Sequence, residues 1–266
     1  MKKIFTTLGV LIFIFLILIN LSFVSAPHTA TTSTGRTSYD INEGTVYVFN
    51  ITINNTDVGN AANITQVNIT LPSGFTFTTA SSNGTNALDP ATFSNTSSVL
   101  TWTNNTRLIN ATINNTNFWF NISAATPGDY NITVTTLNTT GLYYFNSNIS
   151  IHVNDTTRPS VIITNPTANG TNYSTSSFNF SLRLSDNINI SSCWFTLTSG
   201  ISNYTMTVNA SKTGANYTNV SIADATYTSK FYCNDTSNNL NGTEQSTFTI
   251  DVNTPVITLI SPAADA

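Results

Sequence analysis

Charge is what this sequence has least of. Only 8% of its 266 residues are Asp, Glu, Lys or Arg, and the 8 basic residues are too scattered to neutralise a run of phosphates. That excludes nucleic acid as a partner. Histidine is scarce as well: His28 and His152 are the only two, and neither stands with a nucleophile and an acid in a way that suggests a catalytic set. No HExxH, no phosphate-binding glycine loop and no Cys/His spacing suited to zinc is present. The acidic residues do not pair for acid–base work. The segment reads as non-enzymatic and without a cofactor.

A convincing helical period is missing beyond the N-terminus. Residues 1–26, "MKKIFTTLGVLIFIFLILINLSFVSA", place Lys2 and Lys3 before the apolar run Leu8 to Ile19. This is the layout of a signal peptide. Counting the mixed residues up to Val24, it is also just long enough for a retained N-terminal membrane anchor. Both readings put the remaining chain outside the cytoplasm. The 2 cysteines, Cys193 and Cys233, agree, because an even pair in an exported chain points to a disulfide; the alternative is two buried thiols. Residues 27–36 form a Ser/Thr-rich stretch with no apolar period and read as a flexible linker, with His28 inside it.

What the chain has instead is alternation. Tyr47, Phe49, Ile51 and Ile53 alternate with polar or small residues, as do Val67, Ile69 and Leu71, then Phe118, Phe120 and Ile122. The same holds for Tyr130, Ile132 and Val134, for Ile149, Ile151 and Val153, and for Phe178, Phe180, Leu182 and Leu184. Strands with one dry and one wet face, cut by Gly, Pro and Asn turns, predict an all-β fold of antiparallel sandwiches. "DTTRPSVIITNPTAN" from Asp155 and "DVNTPVITLISPAAD" from Asp251 repeat an Asp four residues before one Pro, with a second Pro seven further on. Their offset of 96 residues is close to one immunoglobulin-sized sandwich. The expected organisation is therefore tandem immunoglobulin-like sandwiches over 37–154 and 155–252, after the N-terminal apolar helix. Residues 253–266 read as the first strand of a further repeat, unpaired or lying on the domain before it.

Tyr130 and Tyr227 each stand ahead of a strand, where such a sandwich can have a tyrosine corner. Counting by twos puts Ser229, Phe231 and Cys233 on one face, and Cys193 with Phe195 and Leu197 on another, which suits a bridge across the core. Trp194 falls on the opposite face from Cys193.

"YVFNITINNTDVGNAANITQVNITLPSGFTF" followed by "LTWTN" resembles the conserved-repeat domains of archaeal and bacterial surface proteins, on Leu71, Pro72, Gly74, Phe75 and Trp102. The second domain is similar to bacterial and archaeal immunoglobulin-like repeats in "FYCNDTSNN" and the Asp-x-x-x-Pro junctions. The resemblance implies a stalk, surface-layer or adhesive role, with cell-envelope or surface glycans and proteins as partners and the membrane as a further one if the N-terminal segment is uncleaved.

Two weaker features complete the inventory. Asp155, Asp186, Asp235 and Asp251 lie at junctions or turns and are candidates for calcium, but a calcium site needs six to eight oxygens and the sequence supplies one Asp at a time. Turn formation is the favoured role for each. Trp119 is the large aromatic that alternation puts on the wet face, two residues before Asn121, where it can contact a sugar or protein partner.

The strongest pattern is the sequon. Beyond the N-terminal segment there are 24 Asn-x-Ser/Thr sites among 37 Asn, where chance gives about 11. Alternation writes some of them automatically, since polar–apolar–polar in Asn and Thr spells Asn-Ile-Thr. It does not explain why Asn, a poor strand former, is used where Thr, Lys or Gln would wet the face at less cost. Candidates for N-glycosylation are Asn50, Asn54, Asn63, Asn68, Asn121, Asn131, Asn148, Asn179, Asn203 and Asn216. The expectation is a non-enzymatic, heavily glycosylated surface protein. The alternatives are a carbohydrate- or protein-binding module, or the stalk of an enzyme whose catalytic part lies further along.

Overall fold

The computed structural model describes residues 28–32, 38–55, 63–78, 84–85, 92–104, 108–109, 115–138, 143–167, 169–197, 202–219 and 221–258. Residues 1–26, read as signal or anchor, lie outside them. Among the described residues the regular structure is all β, and no helix is long and apolar enough to cross a membrane. The chain divides into two compact units, Met1–Ala125 with Asp129–Val153, and Thr126–Gly128 with Asn154–Ala266.

The first unit contains β1 (His28–Thr32), β2 (Ser38–Asn42), β3 (Tyr47–Asn55), β4 (Ile64–Thr70), β5 (Phe75–Thr78), β6 (Gly84–Thr85), β7 (Thr92–Asn95), β8 (Val99–Thr103), β9 (Asn115–Ala124), β10 (Gly128–Asn138) and β11 (Tyr143–Asn154). One sheet runs β1-β3-β9-β5, with β6 also on β9, and the other runs β2-β11-β10-β4-β8-β7. The alternating apolar residues of both sheets meet in one core, in which Phe49, Ile51, Val67, Trp102, Phe118, Phe120 and Ile132 are fully buried. Each such side chain contributes about 1.5–3 kcal/mol of transfer free energy. The Leu-Pro-x-Gly segment is the turn into β5. Phe75 N–H donates to the Pro72 carbonyl at 3.3 Å, and Gly74 holds φ at 85°, a left-handed conformation that a side chain would strain.

The second unit contains β12 (Ser160–Asn165), β13 (Thr171–Tyr173), β14 (Phe178–Ser185), β15 (Ile190–Leu197), β16 (Asn203–Val208), β17 (Gly214–Asn219), β18 (Ala225–Asp235), β19 (Leu240–Asn241) and β20 (Gln245–Ile250). The pairing runs β12-β14-β17-β16-β15-β18-β20-β13, with β19 on β18. β16 belongs to both halves. Asn203 to Met206 pair with β15, and Thr207 and Val208 pair with β17, so the sheet folds over itself through this strand. Phe180, Phe195, Phe231 and Phe248 fill the space between. Tyr227 forms a tyrosine corner, its hydroxyl donating to the Ala223 carbonyl at 3.0 Å.

Three expectations need correction or completion. The stretch read as a linker over 27–36 contains β1, which pairs with β3 from His28↔Asn55 to Thr32↔Ile51. His28 and Thr32 are buried by that pairing, which their small and polar neighbours do not betray. The Cys193–Cys233 disulfide forms, but it joins directly opposed residues of β15 and β18 within one sheet, not two sheets across the core. Residues 253–258, the described part of the segment read as an opening strand, adopt no strand, and Val256 and Ile257 are 91% and 88% exposed.

Candidate functional site

The wet faces of both units are built from Asn, Thr and Ser, and the sequon positions lie within them. On a strand, residues i and i+2 share a face, so the Asn and the hydroxyl residue of a sequon project together. In the first unit, the sequons of β10 and β11 oppose each other. Thr133 Oγ1 donates to Asn148 Oδ1 at 3.0 Å, and Ser150 Oγ donates to Asn131 Oδ1 at 3.1 Å. In the second, Asn179 is opposite Thr218 and Ser181 opposite Asn216, and Thr218 Oγ1 donates to Asn179 Oδ1 at 3.2 Å. Asn131, Asn148, Asn179, Asn203 and Asn216 are all exposed. A glycan is joined through Nδ2, so hydroxyls that occupy Oδ1 leave the reactive side of the amide outward.

Asn54, Asn63, Asn68 and Asn121 are half-buried. Asn54 Nδ2 donates to Thr29 Oγ1 at 3.3 Å, and Asn68 Oδ1 accepts from Gln66 Nε2 and Thr101 Oγ1 at 2.8 and 3.0 Å. Asn50 lies on the outward side of β3 yet is only 7% exposed, the most enclosed of these candidates. Its direct cross-strand neighbour is Trp119 on β9, the largest side chain on that face. Trp119 itself is outward and 38% exposed, as its alternation implies.

The acidic residues do not stand one at a time. Asp155, Asp186 and Asp235 converge in the second unit, each with a carboxylate oxygen within 4.8 Å of the others, and Asp155 and Asp235 are buried. Asp251 is not with them; its Oδ1 accepts the Asn253 N–H. Asn239, which the sequence reading did not single out, ties two of the three together. Its Nδ2 donates to Asp155 Oδ2 at 3.1 Å and Asp235 Oδ2 at 2.8 Å. Asp235 Oδ1 accepts the N–H groups of Ser237 and Asn239, Asp155 Oδ1 that of Thr157, and Asp186 Oδ2 that of Ile188. Asp186 Oδ1 alone has no partner among the described residues. Burial raises the Asp186 pKa above its ordinary value, the Ile188 N–H opposes that, and the charges of Asp235 and Asp155 add to the rise. Chemically these are hard oxygen donors of the kind calcium takes. Amide donors are already directed at five of the six oxygens, and Asn239 makes Asp155 and Asp235 a clamp between the loop following β18 and the segment leading into β12, while Asp186 is bonded within its own turn.

Two further arrangements escaped the sequence reading because each depends on strand register. Trp194 and Tyr232 stack on the outward face of β15–β18, with centroids 5.5 Å apart and planes 8° from parallel. Gly242 lies against the tyrosine, where a Cβ would come within 2.7 Å of the ring. In the first unit, His152, outward as read, sits with Nδ1 2.6 Å from Asp129 Oδ1.

No protein-family model and no curated protein matches the chain. Among solved structures it is similar to the fibronectin(III)-like modules of Clostridium thermocellum CbhA, at 14% identity and a TM-score of 0.31 over 84% of this chain and 94% of that one. It is similar also to BcpA*(D312A), the major pilin subunit of Bacillus cereus, at 10% identity and a TM-score of 0.38 over 84% and 66% of the two chains. A non-cellulosomal cohesin from Archaeoglobus fulgidus is matched at 10% identity and a TM-score of 0.31, over 47% of this chain and 90% of that one. These likenesses are loose, and the sandwich assignment stands on the strand pairing of this chain itself.

Proposed function

We propose that this chain is exported and serves as a structural, non-enzymatic component of a cell surface, with tandem β-sandwiches acting as a spacer or coat whose wet faces carry N-linked glycans. The observation that carries the reading is the pairing of sequons across strands: exposed Asn amides whose Oδ1 atoms are held by opposing hydroxyls, on faces with few charges. A surface this poor in charge needs another source of hydration, and glycans supply it. The disulfide supports an oxidising location. Resistance to unfolding would come from the sheets and the Cys193–Cys233 bridge, while the sugars shield. Its partners would be envelope or surface glycans and proteins, with the membrane reached through the N-terminal segment where that is retained.

Intact mass of the protein purified from its native source tests this directly. A mass well above the polypeptide that falls on deglycosylation is expected; a mass equal to the polypeptide, allowing for loss of residues 1–26, would overturn the glycan coat.

A further inference from the structure

The outer face of the β3–β9 pair hides two carbonyl oxygens that accept no hydrogen bond from the described residues. Asn50 Oδ1 and Asn121 Oδ1 are closed off from solvent and have no hydrogen-bond partner among the described residues. Folded proteins keep few such atoms, and each costs about 1–3 kcal/mol. Both lie beside the same side chain. Asn50 is directly opposite Trp119, and Asn121 follows it by two on the same strand and face. Directly opposed side chains have Cβ atoms about 5 Å apart. The indole therefore stands next to both amides while keeping 38% of its own surface exposed.

We propose that Trp119, Asn50 and Asn121 form a binding site for a neutral sugar unit of a glycan that is not attached to this chain. The indole stacks on the apolar C–H face of the sugar ring, and the two amide oxygens accept its hydroxyl protons once the amides rotate outward.

The chemistry narrows the ligand to this class. Both free atoms are acceptors, so the ligand brings donors; a purely apolar partner would leave them unmatched. Among the described residues, the outward neighbours of the indole, Val48 and Thr52 on β3, Asn117 on β9 and Thr78 on β5, carry no charge. A cationic ligand would stack on the indole but would be desolvated there without a carboxylate beside it. Val48, 62% exposed and opposite Asn121, extends the apolar rim. A sugar ring, apolar on one face and rimmed by hydroxyls, meets each requirement. This site is independent of the glycan coat proposed above, because it reads sugars instead of carrying them.

The test uses the whole chain produced in a host without N-glycosylation, titrated with neutral oligosaccharides of glucose, mannose and galactose. Binding is followed by NMR shifts of the Asn50 and Asn121 side-chain amides and the Trp119 indole N–H. Saturable binding of at least one series is expected. Trp119→Ala should weaken it about tenfold or more, as the loss of a central tryptophan does, and Trp119→Phe should retain part of it. Asn50→Ala should weaken binding several-fold without lowering the melting temperature, an effect that a purely structural role for Asn50 would not produce. No saturable binding up to about 10 mM, or binding unchanged in Trp119→Ala, overturns the proposal. So does a result in which free oligosaccharides fail to bind while deglycosylation of native protein shifts the Trp119 signal, for then the indole serves the chain's own glycan.

Discussion

Thr133 Oγ1 donates to Asn148 Oδ1 at 3.0 Å, and the return bond from Ser150 to Asn131 makes two sequons on neighbouring strands hold each other's amides. This arrangement separates sequons by usefulness. Exposed Asn131, Asn148, Asn179, Asn203 and Asn216 should carry glycans in native material, whereas Asn50 and Asn121, whose Oδ1 atoms are enclosed, should be bare. Site-resolved mass spectrometry of native peptides reads the pattern. An occupied Asn50 would show that burial in the folded sheet does not govern modification.

The disulfide joins neighbours within one sheet, but its effect on the unfolded chain depends on the sequence separation of 40 residues. In the chain-entropy model a loop of that size is worth about 4 kcal/mol. Replacing both cysteines by alanine should lower the denaturant midpoint of the second unit and leave the first unit's transition in place. Equal midpoints with and without the bridge would show that the reduced chain is as constrained as the oxidised one.

Much of this fold is legible in the sequence, and the boundary of legibility has a physical origin. Alternation reports which face a side chain takes, so Phe49, Ile51, Phe120, Ile132 and Phe180 read as inward from local pattern alone, and all are buried. Alternation does not report which strand lies alongside. Asn50 reads as wet because its neighbours are dry, and only the β3–β9 register reveals Trp119 across from it. For the same reason Cys193 and Cys233 were readable as a pair but not as partners within one sheet. Asp155, Asp186 and Asp235 come together only when three loops distant in sequence are folded to one end of the unit. In β1 the pattern fails locally, because His28, Ala30 and Thr32 face inward and none of them is both large and apolar.

His152 offers a pH measurement on the first unit. Its hydrogen bond to Asp129 raises its pKa above the ordinary 6.5; slight burial opposes the rise, and the charges of Asp129 and Asp40 add to it. A raised folded-state value means the charged imidazole contributes stability that is fully present below pH 6.5 and is lost as the pH climbs through the folded pKa. Both partners are solvent-exposed, so screening keeps the effect on stability small, and the titration itself is the better readout. NMR of the His152 ring should show a midpoint above 6.5 that falls back toward that value in Asp129→Asn. An unchanged midpoint would remove Asp129 as the cause.

At Asp186 folding disfavours the charged form instead of favouring it. Burial, aided by the charges of Asp235 and Asp155, raises its pKa above 3.8, so the folded unit holds that proton more tightly than the unfolded chain does. Ionising it costs stability at neutral pH, and the cost disappears as the pH falls below 3.8. Asp186→Asn should therefore raise the melting temperature of the second unit at pH 7, with the gain fading toward pH 3. An asparagine there can still accept the Ile188 N–H and brings an amide that can donate to Asp155 or Asp235. Millimolar calcium should leave the native melting temperature unchanged, because amide donors already engage five of the cluster's six oxygens. A calcium-dependent rise, together with a lower melting temperature for Asp186→Asn, would show instead that the three carboxylates work as a cation site and that the charge is what the fold requires.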